Sequence, residues 1–410
     1  MATAGREFFT VKTVSQALVE FRPEHRSAVE NVTLAAAWRR VPAADICAHD
    51  ALPGFDRSSV DGYAVRAQDT FGASESIPAY LPVVGAVRMG AVPGQQVDSQ
   101  TAVAIPTGGM LPGGADAVVM IEHTQEAMPG TIEVVRPVAP GEGVVRGDED
   151  AAAGAAIARQ GRALRAQDLA MLAACGITEI PVHAAPRVTI LATGDEVVPA
   201  DTRTLPPAHV RDALSVSIGA LIKEAGGAPE PAVIIPDDRA VLQQALSDAV
   251  ARSDMVVVCA GSSVGARDET TGAVAALASS EIWCHGLAIK PGKPTLLAAS
   301  DGIPIVGLPG NPRSALVVFR LIGMPLLRRI GGSTREQRPG TVRASLSRDL
   351  PSAAGRLDVV QVRLAGEVAE PIFGSSALLS VLTAADGYLL VPEDANGLSA
   401  GDPVEVFLYE

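Results

Sequence analysis

The chain has 410 residues, 48% of them apolar and 19% charged, enough for several hydrophobic cores rather than one. Aromatics make up only 3% and the formal net charge is -13, which excludes base stacking on single strands and a phosphate-neutralising duplex surface, so nucleic acid is not an expected partner. The four cysteines, Cys47, Cys175, Cys259 and Cys284, stand at least 25 positions apart, so they read as small hydrophobes and not as a zinc site or disulfide framework.

Residues 8–48 read as helical, from a cap at Thr13 and an apolar face of Val14, Ala17, Leu18 and Phe21. From 49 to 140, Gly and Pro punctuate short runs at 81–87, 117–123 and 131–138, the pattern of a compact β domain. Helical pattern returns at 162–175 and stops at Gly176. The β domain is therefore expected as an insertion in a helical linking domain built from 8–48 and 141–182. Residues 183–330 then alternate apolar strands at 188–192, 232–235, 255–260 and 305–308 with helices at 214–225 and 239–252, which predicts a doubly wound α/β domain. Beyond Gly331-Gly332-Ser333-Thr334 the alternation of Val404, Val406 and Leu408 predicts a small C-terminal β domain, barrel-like, over 337–410. No apolar run approaches the roughly 18 residues of a membrane span, and Arg6, Glu7 and Lys12 interrupt any early apolar stretch. A soluble, cytoplasmic protein is expected.

Ligands of such sheets bind at the carboxyl ends of the strands, and each strand here delivers a polar loop there. These are Thr193-Gly194-Asp195-Glu196, then Pro236-Asp237-Asp238, then residues 261–268 with Gly261, Ser262, Ser263, Gly265 and Asp268, then 307–312 with Pro309, Gly310 and Asn311. The Gly/Ser loop suits a phosphate, and Asp195, Glu196, Asp237 and Asp268 suit Mg²⁺ bridging to phosphate oxygens. Asp237-Asp238 reads equally as a helix cap, and Asp268 as the start of the next helix. In 287–294, "LAIKPGKP", two Pro/Gly turns place Lys290 and Lys293 at strand ends, in outline an oxyanion site. Residues 286–293 miss the P-loop spacing and put Pro294 where its Ser/Thr belongs, and Gly141, Gly143 and Gly147 miss the dinucleotide spacing by one residue, so neither a kinase-like nor a dinucleotide site is expected.

The segments "GFDRSSVDGYAV" (54–65), "IPTGGMLPGGADAVVMIEHT" (105–124), "LATGDEVV" (191–198), "GSSVGARD" (261–268), "LAIKPGKP" (287–294), "GLPGNPRSA" (307–315), "GRLD" (355–358) and "GSSALLSVLTAADGYLLVPE" (374–393) occur in this order. Together they resemble the MoeA family of molybdopterin molybdenumtransferases, related to the gephyrin E domain, over essentially the whole chain. The resemblance implies a homodimer whose cleft lies between the α/β domain of one subunit and the inserted β domain of the other. It implies Mg²⁺-dependent release of AMP from adenylylated molybdopterin, and placement of molybdate on the dithiolene sulfurs. By position, Asp61 and Thr107 would be cleft residues of the inserted domain, and Glu196, Asp237 and Asp268 the acidic, metal-holding residues. Lys290, Pro291, Ser314, Arg356 and Ser375 would hold molybdate. Transient contacts with a molybdopterin adenylyltransferase and with acceptor molybdoenzymes follow from the same likeness. Leu214 and Val216 replace polar family positions, Ser262 replaces a glycine, and Arg313 takes a small or apolar place. A tungstate-inserting homologue, a non-catalytic molybdopterin carrier and an adenylyltransferase are the competing readings.

Overall fold

The structure, a computed structural model, describes residues 11–259, 264–335 and 339–409, with the side chains of 264–268 outside that description. The first helix is short, Val14–Glu20, opened by a reciprocal cap between Thr13 and Gln16. The rest of 8–48 differs from the helical expectation. Pro23 cannot donate to a continuing helix and biases Arg22 away from helical backbone. The strand Val29–Thr33 then pairs antiparallel with Glu179–His183, and Ile46–Cys47 pairs with Ala156–Ala158. Their core gathers Ala37, Leu164, Leu172, Ile180 and Val182, so this unit is held by long-range strand pairing. The later helix is Ala166–Ala174, and Gly176 follows at a φ of 73°.

Residues 62–134 form a six-stranded sheet in the order Ala117–Met120, Gly62–Val65, Ala102–Ile105, Ala79–Ala86, Thr131–Val134, Thr124–Met128. It carries one apolar cluster around Leu81 and Val134 and another around Val103 and Val118. Gly62 belongs here for a steric reason: a Cβ would lie 1.9 Å from the Val119 carbonyl oxygen.

The α/β sheet runs Ala228–Pro229, Arg187–Thr193, Met255–Cys259, Ile303–Leu308, Leu296–Ser300, Ser280–His285, with Val233–Ile235 also beside Arg187–Thr193. The pairings among the first four are parallel, and the last two pairings are antiparallel, so only Leu296–Ser300 runs against the rest. Every residue of Met255–Cys259 is buried, as a strand covered on both faces requires. One face packs against Leu214–Glu224 and the helical stretch from Pro312 to Ile330, the other against Arg239–Arg252. That stretch contains a π-helical turn, Phe319–Gly323, ahead of Met324–Ile330. Pro325 has no N–H for the Leu321 carbonyl, which accounts for the irregular ladder there.

In the C-terminal region Leu357–Ala365, Val368–Pro371, Thr341–Leu346, Pro403–Leu408 and Gly387–Val391 pair in that order, and the last pairs back to the first, closing a five-stranded barrel. The barrel is joined to the α/β unit. The two-residue strand Ile289–Lys290 pairs parallel with Leu357–Ala365, and Val359 and Tyr388 enter the same core as Leu287 and Phe319.

Candidate active site

At the carboxyl edge of the α/β sheet, Thr193 ends its strand 3% exposed, with no hydrogen-bond partner for its hydroxyl among the described residues. Gly194 follows at a φ of 142°, and a Cβ there would lie 2.5 Å from Glu196 Oε2. The glycine thus lets the Glu196 carboxylate fold over the turn. Asp195 Oδ1 accepts the Asp237 N–H at 3.1 Å. Asp195, Glu196 and Asp237 thus lie at this edge. Burial first, then the charges of Asp195 and Glu196, raise the Asp237 carboxyl above its ordinary pKa.

Asp238 settles the choice between cap and site at this pair. Its Oδ1 accepts the Ala240 and Val241 N–H groups at 2.8 and 3.0 Å, so it caps the helix and leaves Asp237 to the edge. Gly261, Ser262 and Ser263 lie outside the described residues, as does the side chain of Asp268, while Gly265 falls in the helix Val264–Ala275. Among the described residues no three His, Cys, Asp or Glu side chains close into a metal-holding set.

The residues expected to hold molybdate are linked through a chain of contacts. Arg356 donates from Nε to Asp358 Oδ1 at 2.8 Å, and Lys290 Nζ stands 3.8 Å from Asp358 Oδ2. Asp358 is 5% exposed and lies opposite Lys290 in the parallel pairing. One buried carboxylate therefore aligns two cations from distant parts of the chain. Pro291 is buried. Gly292, at a φ of 125°, abuts the next helix, where a Cβ would lie 2.4 Å from Val318 Cγ2 and 3.8 Å from the Ser314 carbonyl. Ser314, 4% exposed, sits in the first turn of that helix, Pro312–Val318. Arg313 N donates to the Ser376 carbonyl at 3.1 Å, which brings the Ser375 loop onto the same helix. Lys290 and Arg356 thus share Asp358, while the turn after Lys290 and the loop holding Ser375 both meet the helix that carries Ser314.

Pro309 is buried, Gly310 half-buried, and Asn311 precedes the helix without using its side chain as a cap. Lys293 is exposed, and its carbonyl accepts the Leu287 and Thr295 N–H groups at 2.9 Å each. Its ammonium has no acidic partner among the described residues. Leu214 packs against the main core, while Val216 is exposed.

Asp61 and Thr107 are brought together on the six-stranded unit. Thr107 donates its N–H and its hydroxyl to Asp61 Oδ1 at 2.8 and 3.1 Å. Among the described residues no hydrogen bond or ion pair joins either to the α/β unit of the same chain. A cavity of about 40 Å³ lies away from these residues, between Arg39, Arg40, His183 and Pro186, with room for a water or two and none for a nucleotide. The bracing by Asp358 was missed in the sequence; its only signal was its place in "GRLD", two residues after Arg356.

Comparison with known proteins agrees along the chain. The family models for the MoeA N-terminal region (domains I and II), a probable molybdopterin binding domain and the MoeA C-terminal region (domain IV) match residues 10–176, 189–329 and 343–409. Molybdopterin molybdenumtransferase 2 of Mycobacterium tuberculosis is 33% identical over 92% of this chain and 94% of its own length. The molybdopterin molybdenumtransferase of Haemophilus influenzae is 31% identical over 92% and 93%. A crystal structure of a molybdopterin biosynthesis MoeA protein from Pyrococcus horikoshii superimposes with a TM-score of 0.85 at 31% identity, covering 98% of this chain and 100% of that one. The chain belongs to the MoeA family of molybdopterin biosynthesis proteins.

Proposed function

We propose that this chain is a molybdopterin molybdenumtransferase, which places molybdate on adenylylated molybdopterin with Mg²⁺-dependent release of AMP. The observation that carries this reading is the alignment of Lys290 and Arg356 on buried Asp358, beside Ser314 and Ser375. Molybdate is a tetrahedral dianion, and guanidinium, ammonium and hydroxyl donors bind such an anion without ligating its metal.

Magnesium fits the acidic edge on the chemistry of its donors. The oxygens of Glu196, Asp237 and Asp268 are hard ligands, and burial first, then the charges of Asp195 and Glu196, raise the Asp237 pKa, the second part of which a cation would relieve. When bound, the ion would neutralise charge on the phosphate oxygens. Thr193, Gly194 and Asp195, with Gly261, Ser262, Ser263 and Gly265, would hold the molybdopterin and AMP halves. Lys293, Pro309, Gly310 and Asn311 would complete that surface. Glu196, Asp237 and Asp268 would orient the attacking water, and Lys290 and Arg356 would hold the oxyanion near the dithiolene.

Among the described residues no hydrogen bond or ion pair ties Asp61 or Thr107 to this edge, which supports their action from the inserted unit of a second copy. The working form in this reading is a cytoplasmic homodimer. Among the described residues no helix is long and apolar enough to cross a membrane. The test is AMP release from adenylylated molybdopterin with Mg²⁺, and with molybdate, tungstate or neither. Oxyanion-dependent release is expected. Tight pterin binding without release under all three conditions would make the protein a carrier.

A further inference from the structure

Arg313 occupies an unusual electrostatic position. It is half-buried, with Nη1 donating to the Gly374 carbonyl at 3.0 Å and the backbone N–H to the Ser376 carbonyl at 3.1 Å. It thus grips the loop on either side of Ser375, and the next residue is buried Ser314. Its Nε is buried without a hydrogen-bond partner among the described residues. No carboxylate among the described residues lies within ion-pair distance of it. Arg320, farther along the same helical stretch, shows the ordinary solution: both its Nη atoms reach Glu224, at 3.0 and 3.2 Å. A half-buried guanidinium without a counter-charge is costly to hold, and burial accordingly lowers its pKa from the usual guanidinium value.

Charge balance says what would satisfy it. Lys290 and Arg356 share Asp358, so two cations and one carboxylate leave a single positive charge. Arg313 makes it two, equal and opposite to a tetrahedral dianion. The Lys290-Pro291-Gly292 turn packs on the helix that Arg313 opens, so all three cations flank the same junction between the α/β unit and the barrel.

We propose that Arg313 is the third cation of the oxyanion site and that it sets the preference for doubly over singly charged tetrahedral anions. This rests on the oxyanion-binding reading of Lys290, Ser314, Arg356 and Ser375. One of its five N–H donors is committed to Gly374, which leaves others for an anion.

Arg313→Gln removes the charge and, being two bonds shorter, the Gly374 contact as well; losing that contact affects both anions alike, so the difference between a dianion and a monoanion reads the charge. Binding of molybdate (a dianion) and perrhenate (a monoanion of the same shape) is measured by calorimetry on the full-length parent, on R313Q and on R313K, with melting temperature as the folding control. The expected result is that R313Q weakens molybdate about tenfold, the worth of one charge-assisted hydrogen bond. Perrhenate binding should change little, and R313K should keep most of the preference. Unchanged molybdate binding in R313Q would overturn the proposal, as would equal loss of both anions, which would make Arg313 a loop anchor only. Should R313Q not fold, R313M keeps the aliphatic stem and gives the same comparison. A parent protein that binds neither anion would overturn the oxyanion reading itself, and Arg313's role with it.

Discussion

Thr107 gives both its backbone N–H and its hydroxyl to a single oxygen of Asp61, at 2.8 and 3.1 Å. The backbone bond fixes where the carboxylate lies, and the hydroxyl fixes its rotation. Thr107→Val deletes only the second bond at an exposed site, so stability should change by no more than about 0.5 kcal/mol. AMP release should nevertheless fall, by about tenfold for one lost hydrogen bond to a charged group. Thermal melts and AMP release measured on the same preparation test this; full activity in the variant would remove Thr107 from the site.

Gly62 places Asp61 by letting a neighbouring backbone approach. In Gly62→Ala the new methyl would meet the Val119 carbonyl oxygen at 1.9 Å and its carbon at 2.9 Å, atoms that cannot rotate away. The strand must shift, at a cost of roughly 1–3 kcal/mol. Gly54→Ala is the control, because its nearest neighbour would be 3.8 Å away. Chemical denaturation should show a lowered midpoint for the first variant and almost none for the second.

Arg356→Ala should act on both stability and binding. It removes the closest partner of Asp358 and leaves a buried carboxylate with Lys290 at 3.8 Å, a loss of about 1–3 kcal/mol. Molybdate binding should weaken, and AMP release should then need higher molybdate. Adding Asp358→Asn should recover part of the stability, since the stranded charge is gone, without recovering molybdate affinity. Recovery of both together would mean that Arg356 serves only the fold.

Asp168 tests the linking unit by pH. Burial opposes its ionisation, yet hydrogen bonds from Arg165 and from Arg162 prevail and hold its pKa at about 2. A carboxyl depressed in the fold stabilises fully above its ordinary value near 4, and loses that contribution as pH falls toward 2. Asp168→Asn should therefore cost about 1–2 kcal/mol at neutral pH, allowing for solvent screening. The gap between variant and parent should close in acid melts; a gap independent of pH would assign Asp168 a purely steric role.

Buried parallel strands are legible in sequence because they are continuous apolar runs, and Met255–Cys259 is one. The loops at their ends were legible for the same reason: a Gly/Asp cluster after such a run has one place to go. Val29–Thr33 was not, because its partner, Glu179–His183, is remote in sequence and local spacing carries no trace of the pairing. Asp358 was hidden in the same way, since its tie to Lys290 depends on a parallel register between two parts of the fold. The Asp237-Asp238 pair shows the intermediate case. Composition proposed both a cap and a site, and only the direction of the Ala240 and Val241 N–H groups assigned the cap to Asp238.

That assignment gives the last prediction. Burial and then the charges of Asp195 and Glu196 raise the Asp237 pKa in the folded chain. The fold therefore holds this proton more tightly than the unfolded chain does. Its contribution is fully present below the ordinary carboxylate pKa and is lost as pH rises through the raised value. Asp237→Asn should then be slightly more stable than the parent at neutral pH, by roughly 0.5 kcal/mol or less at so exposed a position, and equal to it in acid. A cation at the same edge works in the opposite direction. Mg²⁺ should raise the melting temperature of the parent by mass action, and chelation should reverse the gain. In Asp237→Asn the repulsion is already relieved and one ligand is gone, so the Mg²⁺ response should largely disappear. Equal stabilisation of both proteins by Mg²⁺ would place the ion elsewhere and remove Asp237 from the metal site.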